Sequence, residues 1–225
     1  SSLLAMQLAE TTAAGRPAPE GRDAMTTPPR FPPVGLCVLM FSVACVVGPN
    51  TPPGTVVLED GGSYRLVRHG KPYFIRGAGG QTHLDQLAAA GGNSIRTWGA
   101  DHIGEVLDQA HRHGLTVCVG LWLGHERHGF DYGDRPAVLR QLETTLEAVR
   151  RHKDHPALLM WGVGNEMEGD GTNPDIWKAV EEIAREIKRI DPDHPTMTVI
   201  AELGSDKVES IERFFPIRFG CGLGD

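Results

Sequence analysis

From residue 55 onward, short β-rich apolar runs take turns with segments of helical period, and this alternation restricts the chain to βαβ units around a parallel sheet. The expected strands are residues 73–76, 94–98, 116–123, 158–163 and 196–201. Ahead of them, Gly61-Gly62 and His69-Gly70-Lys71 punctuate a hairpin. The helices announce their own starts. Asp134 ahead of Pro136 caps a stripe of Val138, Leu142, Leu146 and Val149, and Asn173 ahead of Pro174 caps one of Ile176, Val180, Ile183, Ile187 and Ile190. A shorter helix over residues 103–113 ends at Gly114 as a left-handed cap. Such a pattern suits a doubly wound sheet or the first five-eighths of a (β/α)8 barrel. No GxGxxG or Walker sequence follows the first strand, and polar and aromatic residues gather where the strands end. The expected fold class is therefore α/β, an incomplete TIM-barrel type of about five βα units preceded by a hairpin.

Charge and cysteine usage narrow the function classes. Lys+Arg 22 against Asp+Glu 29 gives a net charge of -7, which leaves no electrostatic footprint for a phosphate backbone, so no nucleic-acid partner is expected. Cys37, Cys45, Cys118 and Cys221 are scattered, with neither a disulfide framework nor a CxxC pair for zinc. HERH at 125–128 is one residue short of HExxH and falls at a strand end. His111, His113, His152 and His155 flank helix ends, where cationic side chains are ordinary. Neither a metal nor a cofactor is expected.

Residues 1–33, rich in Ala, Thr, Pro, Gly and Arg, are expected to be disordered. After Met25 and Arg30, residues 34–47 form an uncharged apolar run of 14 residues, and Gly48 to Gly54 break it. A positive start, an apolar middle and a breaker read as a signal peptide, with 34–48 as its apolar region or a membrane anchor and 49–54 as a linker. The run is shorter than the roughly 20 residues that span a bilayer. Cys45 sits in a weak lipoprotein box in which Ser42 stands where Leu is usual. The expectation is export: secreted, periplasmic or membrane-attached.

HPALLMWGVGNEME at 155–168 closely resembles the fourth strand of the retaining β-glycosidases that share the (β/α)8 fold, above all the catalytic domain of glycoside hydrolase family 2. That resemblance makes Glu166 the general acid/base and Asn165 the binder of the sugar 2-hydroxyl. The chemistry needs one carboxyl able to give a proton to the leaving oxygen, and Trp161 is expected to shield Glu166 from water. GNSIRTW at 92–98 resembles the clan's second strand, which makes Arg96 a support for the active-site carboxylates. FIRGAGG at 74–80 resembles the first, its glycines shaping the barrel mouth. The third strand delivers LWLGHERH at 121–128 and the loop FDYGD at 130–134, expected to overhang the pocket, with His125 and Trp122 as sugar-subsite candidates. His128 is expected in solvent and Trp122 competes for a place in the core.

The resemblance covers roughly residues 55–215. Retention needs a second carboxylate about 5–5.5 Å from the first, which the clan supplies at the end of its seventh strand. Glu168 and Glu202 lie nearby but match no family position, so no nucleophile is assigned. The chain begins at Ser1 and closes on IRFGCGLGD at 217–225, which reads as a truncated or frame-shifted product, and an open five-stranded sheet is expected to be aggregation-prone. The expected function is hydrolysis of β-linked oligo- or polysaccharides with retention. The alternatives are a non-catalytic carbohydrate-binding protein, an inactive fragment and, more distantly, a nucleotide-binding α/β protein.

Overall fold

A computed structural model describes residues 54–60, 63–169 and 171–201. The expectations for residues 1–33, the apolar region 34–48, most of the linker 49–54, Glu202 and the tail lie outside the described residues.

The hairpin pairs β1 (Thr55–Asp60) with β2 (Ser63–Arg68), and β3 (Lys71–Pro72) adds to β2, all antiparallel. A parallel sheet follows in the order β4 (Gly77–Gly79), β5 (Ser94–Arg96), β6 (Thr116–Leu121), β7 (Leu158–Val163) and β8 (Thr196–Met197). Helices α1 (Leu84–Ala89), α2 (Ile103–Arg112), α3 (Arg135–His152) and α4 (Pro174–Ile190) fill the four crossovers. Five adjacent parallel strands, each joined to the next through a helix, are the repeating unit of a TIM barrel.

The helix starts follow from their caps. Asp134 accepts from the Ala137 N–H, and Asn173 from the Asp175 N–H. Gly114, with φ of 69°, turns α2 into β6. β5 and β6 each end two residues earlier than expected, at Arg96 and Leu121, and β4 and β8 depart further because side chains take the backbone's partners. The Asn93 side chain accepts from Arg76 N–H at 2.8 Å and donates to Phe74 C=O at 2.8 Å, so β4 begins at Gly77 instead of residue 73. Past Met197, Thr198 donates its hydroxyl to Val163 C=O, and Ala201 N–H donates to the Glu168 carboxylate, so β8 stops four residues early.

One face of the sheet packs on the helices, where Leu107, Val117, Leu158, Trp161, Ile183 and Ile187 are buried. Cys118, Leu159 and Met160 meet Leu66 and Tyr73 of the hairpin segment in a separate cluster. Trp161 donates its indole N–H to Asp191 at 2.7 Å, and His194 Nδ1 approaches the same carboxylate at 3.0 Å. Asp191 is only 2% exposed. Burial pushes its carboxyl up, but the hydrogen bonds from His194 and Trp161 outweigh that and hold it below the usual 3.8. The unfolded chain therefore takes up a proton at higher pH than the folded one. This contribution is complete above the unfolded value and drains away as pH falls through the folded one. Asp191→Asn is expected to lower stability at pH 7 by roughly 1–3 kcal/mol and to flatten its decline below about pH 4. Urea melts from pH 3 to 7 check this, and parallel pH curves for both proteins would contradict it.

Arg68 ties the hairpin to the entry of β7, donating to Pro156 C=O at 2.5 Å and Leu158 C=O at 2.6 Å. All the parallel strands end on one side, so residues following β4 to β8 share a mouth.

Candidate active site

Arg96 closes β5, and its Nη2 donates to Asn165 Oδ1 at 2.5 Å, just past β7. The bond spans from the end of β5 to the residue after β7, past the intervening β6. Cys118, paired with Arg96 in register, is pushed up to about 11 by burial, with Arg96 pulling the other way, so it remains a thiol at neutral pH. With its oxygen held, the Asn165 amide presents its NH2 as the free donor.

Gly164 and Glu166 both adopt positive φ, 73° and 51°. At Gly164 the left-handed backbone favours glycine, and a Cβ there would push the Met167 thioether aside. Glu166 is a carboxylic residue in the left-handed region, a strained arrangement that costs on the order of 1 kcal/mol and clusters at functional sites. Its N–H, donating to Val199 C=O at 2.9 Å, fixes the turn. The Glu166 side chain faces solvent. The shielding expected from Trp161 does not occur, because that ring lies in the helix-facing core with its N–H committed to Asp191. Glu168 is instead buried, and its carboxylate accepts from Ala201 N–H at 2.9 Å.

Beyond β6, Trp122 is 50% exposed and so stands outside the core. Its ring stacks on His125 at 4.9 Å between centroids and 25° between planes, and the exposed His128 ring is 5.3 Å further on. His125 is 2% exposed, and neither ring nitrogen has a partner among the described residues. Its pKa is lowered by burial first, then by Arg127 and His128, against a weaker pull from Glu168 and Glu166. The ring is thus neutral at pH 7, with one N–H donor and one bare acceptor.

The loop expected to overhang the pocket folds inward. Tyr132 is buried and donates its hydroxyl to Gly124 C=O at 2.7 Å, and burial pushes it up to about 12. Phe130 packs under Gly124 against the core. These rings secure the backbone that carries His125, aided by Gln141, which accepts from Gly124 N–H. No group of three or more His, Cys, Asp or Glu among the described residues is arranged to hold a metal, and none of their helices is long and apolar enough to cross a membrane.

The structure thus brings Arg96, Asn165 and Glu166 into one contiguous unit, with Trp122 and His125 stacked at the end of the neighbouring strand. Sequence reasoning left Trp98 unassigned, although its place at the close of GNSIRTW was the available signal. Its ring centroid lies 5.8 Å from Arg96 Cζ.

Comparison with known proteins places this arrangement. The β-glucuronidase of Pongo abelii is 25% identical over 150 residues, 58% of this chain and 22% of the relative. That of Mus musculus is 30% identical over 121 residues, 45% and 18%. The solved Faecalibacterium prausnitzii β-glucuronidase shares the fold at 19% identity and a TM-score of 0.54, over 64% of this chain and 27% of that one. The chain therefore spans about a quarter or less of the length of these proteins. The family model for glycosyl hydrolases family 2, TIM barrel domain, matches residues 87–213, more than half of the chain and including β5 to β8 with the Arg96–Asn165–Glu166 unit. The chain belongs to the TIM barrel domain of the family 2 glycosyl hydrolases.

Proposed function

We propose that the protein hydrolyses β-linked oligo- or polysaccharides with retention, and that this chain supplies the acid/base side of the site. The observation that carries the reading is the 2.5 Å bond from Arg96 to Asn165, because it orients the residue beside Glu166 across two strands. Glu166 gives its proton to the glycosidic oxygen as the bond breaks, then takes one from the water that releases the sugar. Asn165, its oxygen fixed by Arg96, donates its NH2 to the 2-hydroxyl, a contact that strengthens in the transition state. Trp122 offers an apolar ring to a sugar face, and the buried His125 ring stacked on it holds that indole in place. The nucleophile is assigned to none of the described residues.

The test is turnover of aryl β-glycosides by the protein and its Glu166→Ala variant, with and without azide. Turnover indifferent to the substitution would sink the reading. The buried Glu168 carboxylate, engaged by the Ala201 backbone, favours a second reading, a carbohydrate-binding protein without turnover. Calorimetric binding of β-glycosides by a protein that turns none over would select it.

The positive start and apolar run at residues 34–47 support export of the protein. Intact mass of protein recovered outside the cytoplasm is expected to lack residues 1–48 or to carry lipid at Cys45, and an unprocessed N-terminus would contradict export by this route.

A further inference from the structure

Trp98 follows β5 by two residues and is 45% exposed, yet its ring is positioned on two sides. The Arg96 guanidinium lies 5.8 Å from its centroid. Gly79 on β4 admits its far edge, since a Cβ there would stand 2.9 Å from Cη2. Beside the ring opens a cleft of about 260 Å³ lined by Gly80, Gln81, Thr97, Trp98, Gly99 and Asp101. Its lining holds one charged group, the Asp101 carboxylate, and one side-chain amide, that of Gln81. An indole ring bordered by a carboxylate and an amide is the chemistry that recognises a pyranose: the sugar's C–H face rests on the aromatic surface, and its hydroxyls donate to the oxygens. Asp101 is the one charged residue of that lining, while the Arg96 guanidinium is committed to Asn165, so an anionic sugar is repelled and the ring accepted is a neutral one. Arg96 touches Trp98 and also donates to Asn165, so one guanidinium separates this cleft from the Asn165–Glu166 turn.

We infer that the Trp98 cleft is a second sugar subsite, which holds a neutral pyranose of a β-linked glycan next to the ring held at Asn165 and Glu166. The inference rests on the glycosidase reading and adds to it a preference for substrates of at least two rings.

The experiment is calorimetric titration of the protein and of its Trp98→Ala, Trp98→Phe, Gly79→Ala and Asn165→Ala variants. The probes are neutral β-linked disaccharides of glucose, galactose, mannose and xylose, their methyl β-glycosides, and glucuronyl-β-glucose. Trp98→Ala is expected to weaken the best disaccharide about tenfold while leaving its methyl glycoside unchanged. Trp98→Phe retains most of the affinity, which separates lost stacking from lost folding. Gly79→Ala keeps the indole but displaces its edge, and so weakens the disaccharide too. If Trp98→Ala and Gly79→Ala leave disaccharide affinity unchanged while Asn165→Ala lowers it, the subsite is wrong and the glycosidase reading stands. If no probe binds, or none of the variants matters, both fall. A glucuronyl disaccharide that binds tighter than every neutral one, and that Trp98→Ala weakens more than it weakens any neutral one, would overturn the neutral-ring assignment.

Discussion

Glu166→Ala is expected to lower kcat for phenyl β-glycosides by about 10²–10⁴, the usual contribution of a positioned acid/base. The loss should depend on the leaving group. Phenolate leaves slowly without a proton, whereas 2,4-dinitrophenolate departs unaided, so for the activated substrate the first step is spared and release of the sugar becomes limiting. Azide, which needs no base, then attacks in place of water. It restores turnover of the activated glycoside and yields a glycosyl azide of β configuration, because two displacements at one carbon return the original geometry. Rate measurements across leaving groups, with product configuration read by NMR, check each step. A uniform loss for all leaving groups with no azide effect would show that Glu166 shapes the site without handling the proton.

Trp161→Ala should have the largest effect on stability. The ring is fully buried between the sheet and the helices, and truncating a buried Trp costs about 3–5 kcal/mol in lost burial and residual cavity. The change also strips one donor from the buried Asp191 carboxylate, worth roughly 1–3 kcal/mol more. Against the 5–15 kcal/mol typical of a whole domain, the variant is expected to be largely unfolded at 37 °C. Trp161→Phe keeps most of the volume and removes only the N–H, so its cost should be near the smaller figure. Chemical denaturation of the pair separates packing from hydrogen bonding, and a Trp161→Ala midpoint within error of the parent's would contradict this account of the core.

Trp161 also shows where the sequence stops being legible. β7 was readable to its last residue, and the caps at Asp134, Asn173 and Gly114 were readable because each depends on its immediate neighbours. The face to which Trp161 points was not. A strand buried on both sides carries no alternation of polar and apolar residues, so LLMWGV gives no parity to read. The displaced start of β4 depends on an Asn93 side chain 17 residues downstream, and the inward turn of Phe130 and Tyr132 on the carbonyl and the space at Gly124. Such partners are brought together only by the tertiary fold. The resemblance implied that Arg96 supports the active-site carboxylates; the bond the structure gives it goes to the Asn165 amide, 69 residues away, which no local pattern announced.

The Arg68 tether has a consequence for how the protein is made. Its two acceptors lie 88 and 90 residues further along the chain. At a ribosomal rate of 5–20 residues per second, the finished hairpin waits roughly 5–20 s for them to be synthesised. Until then Leu66 lacks Leu159 and Met160, two of the three buried residues of the cluster it later meets. The hairpin is translated before the sheet it attaches to, and its docking registers that β7 has been made and placed.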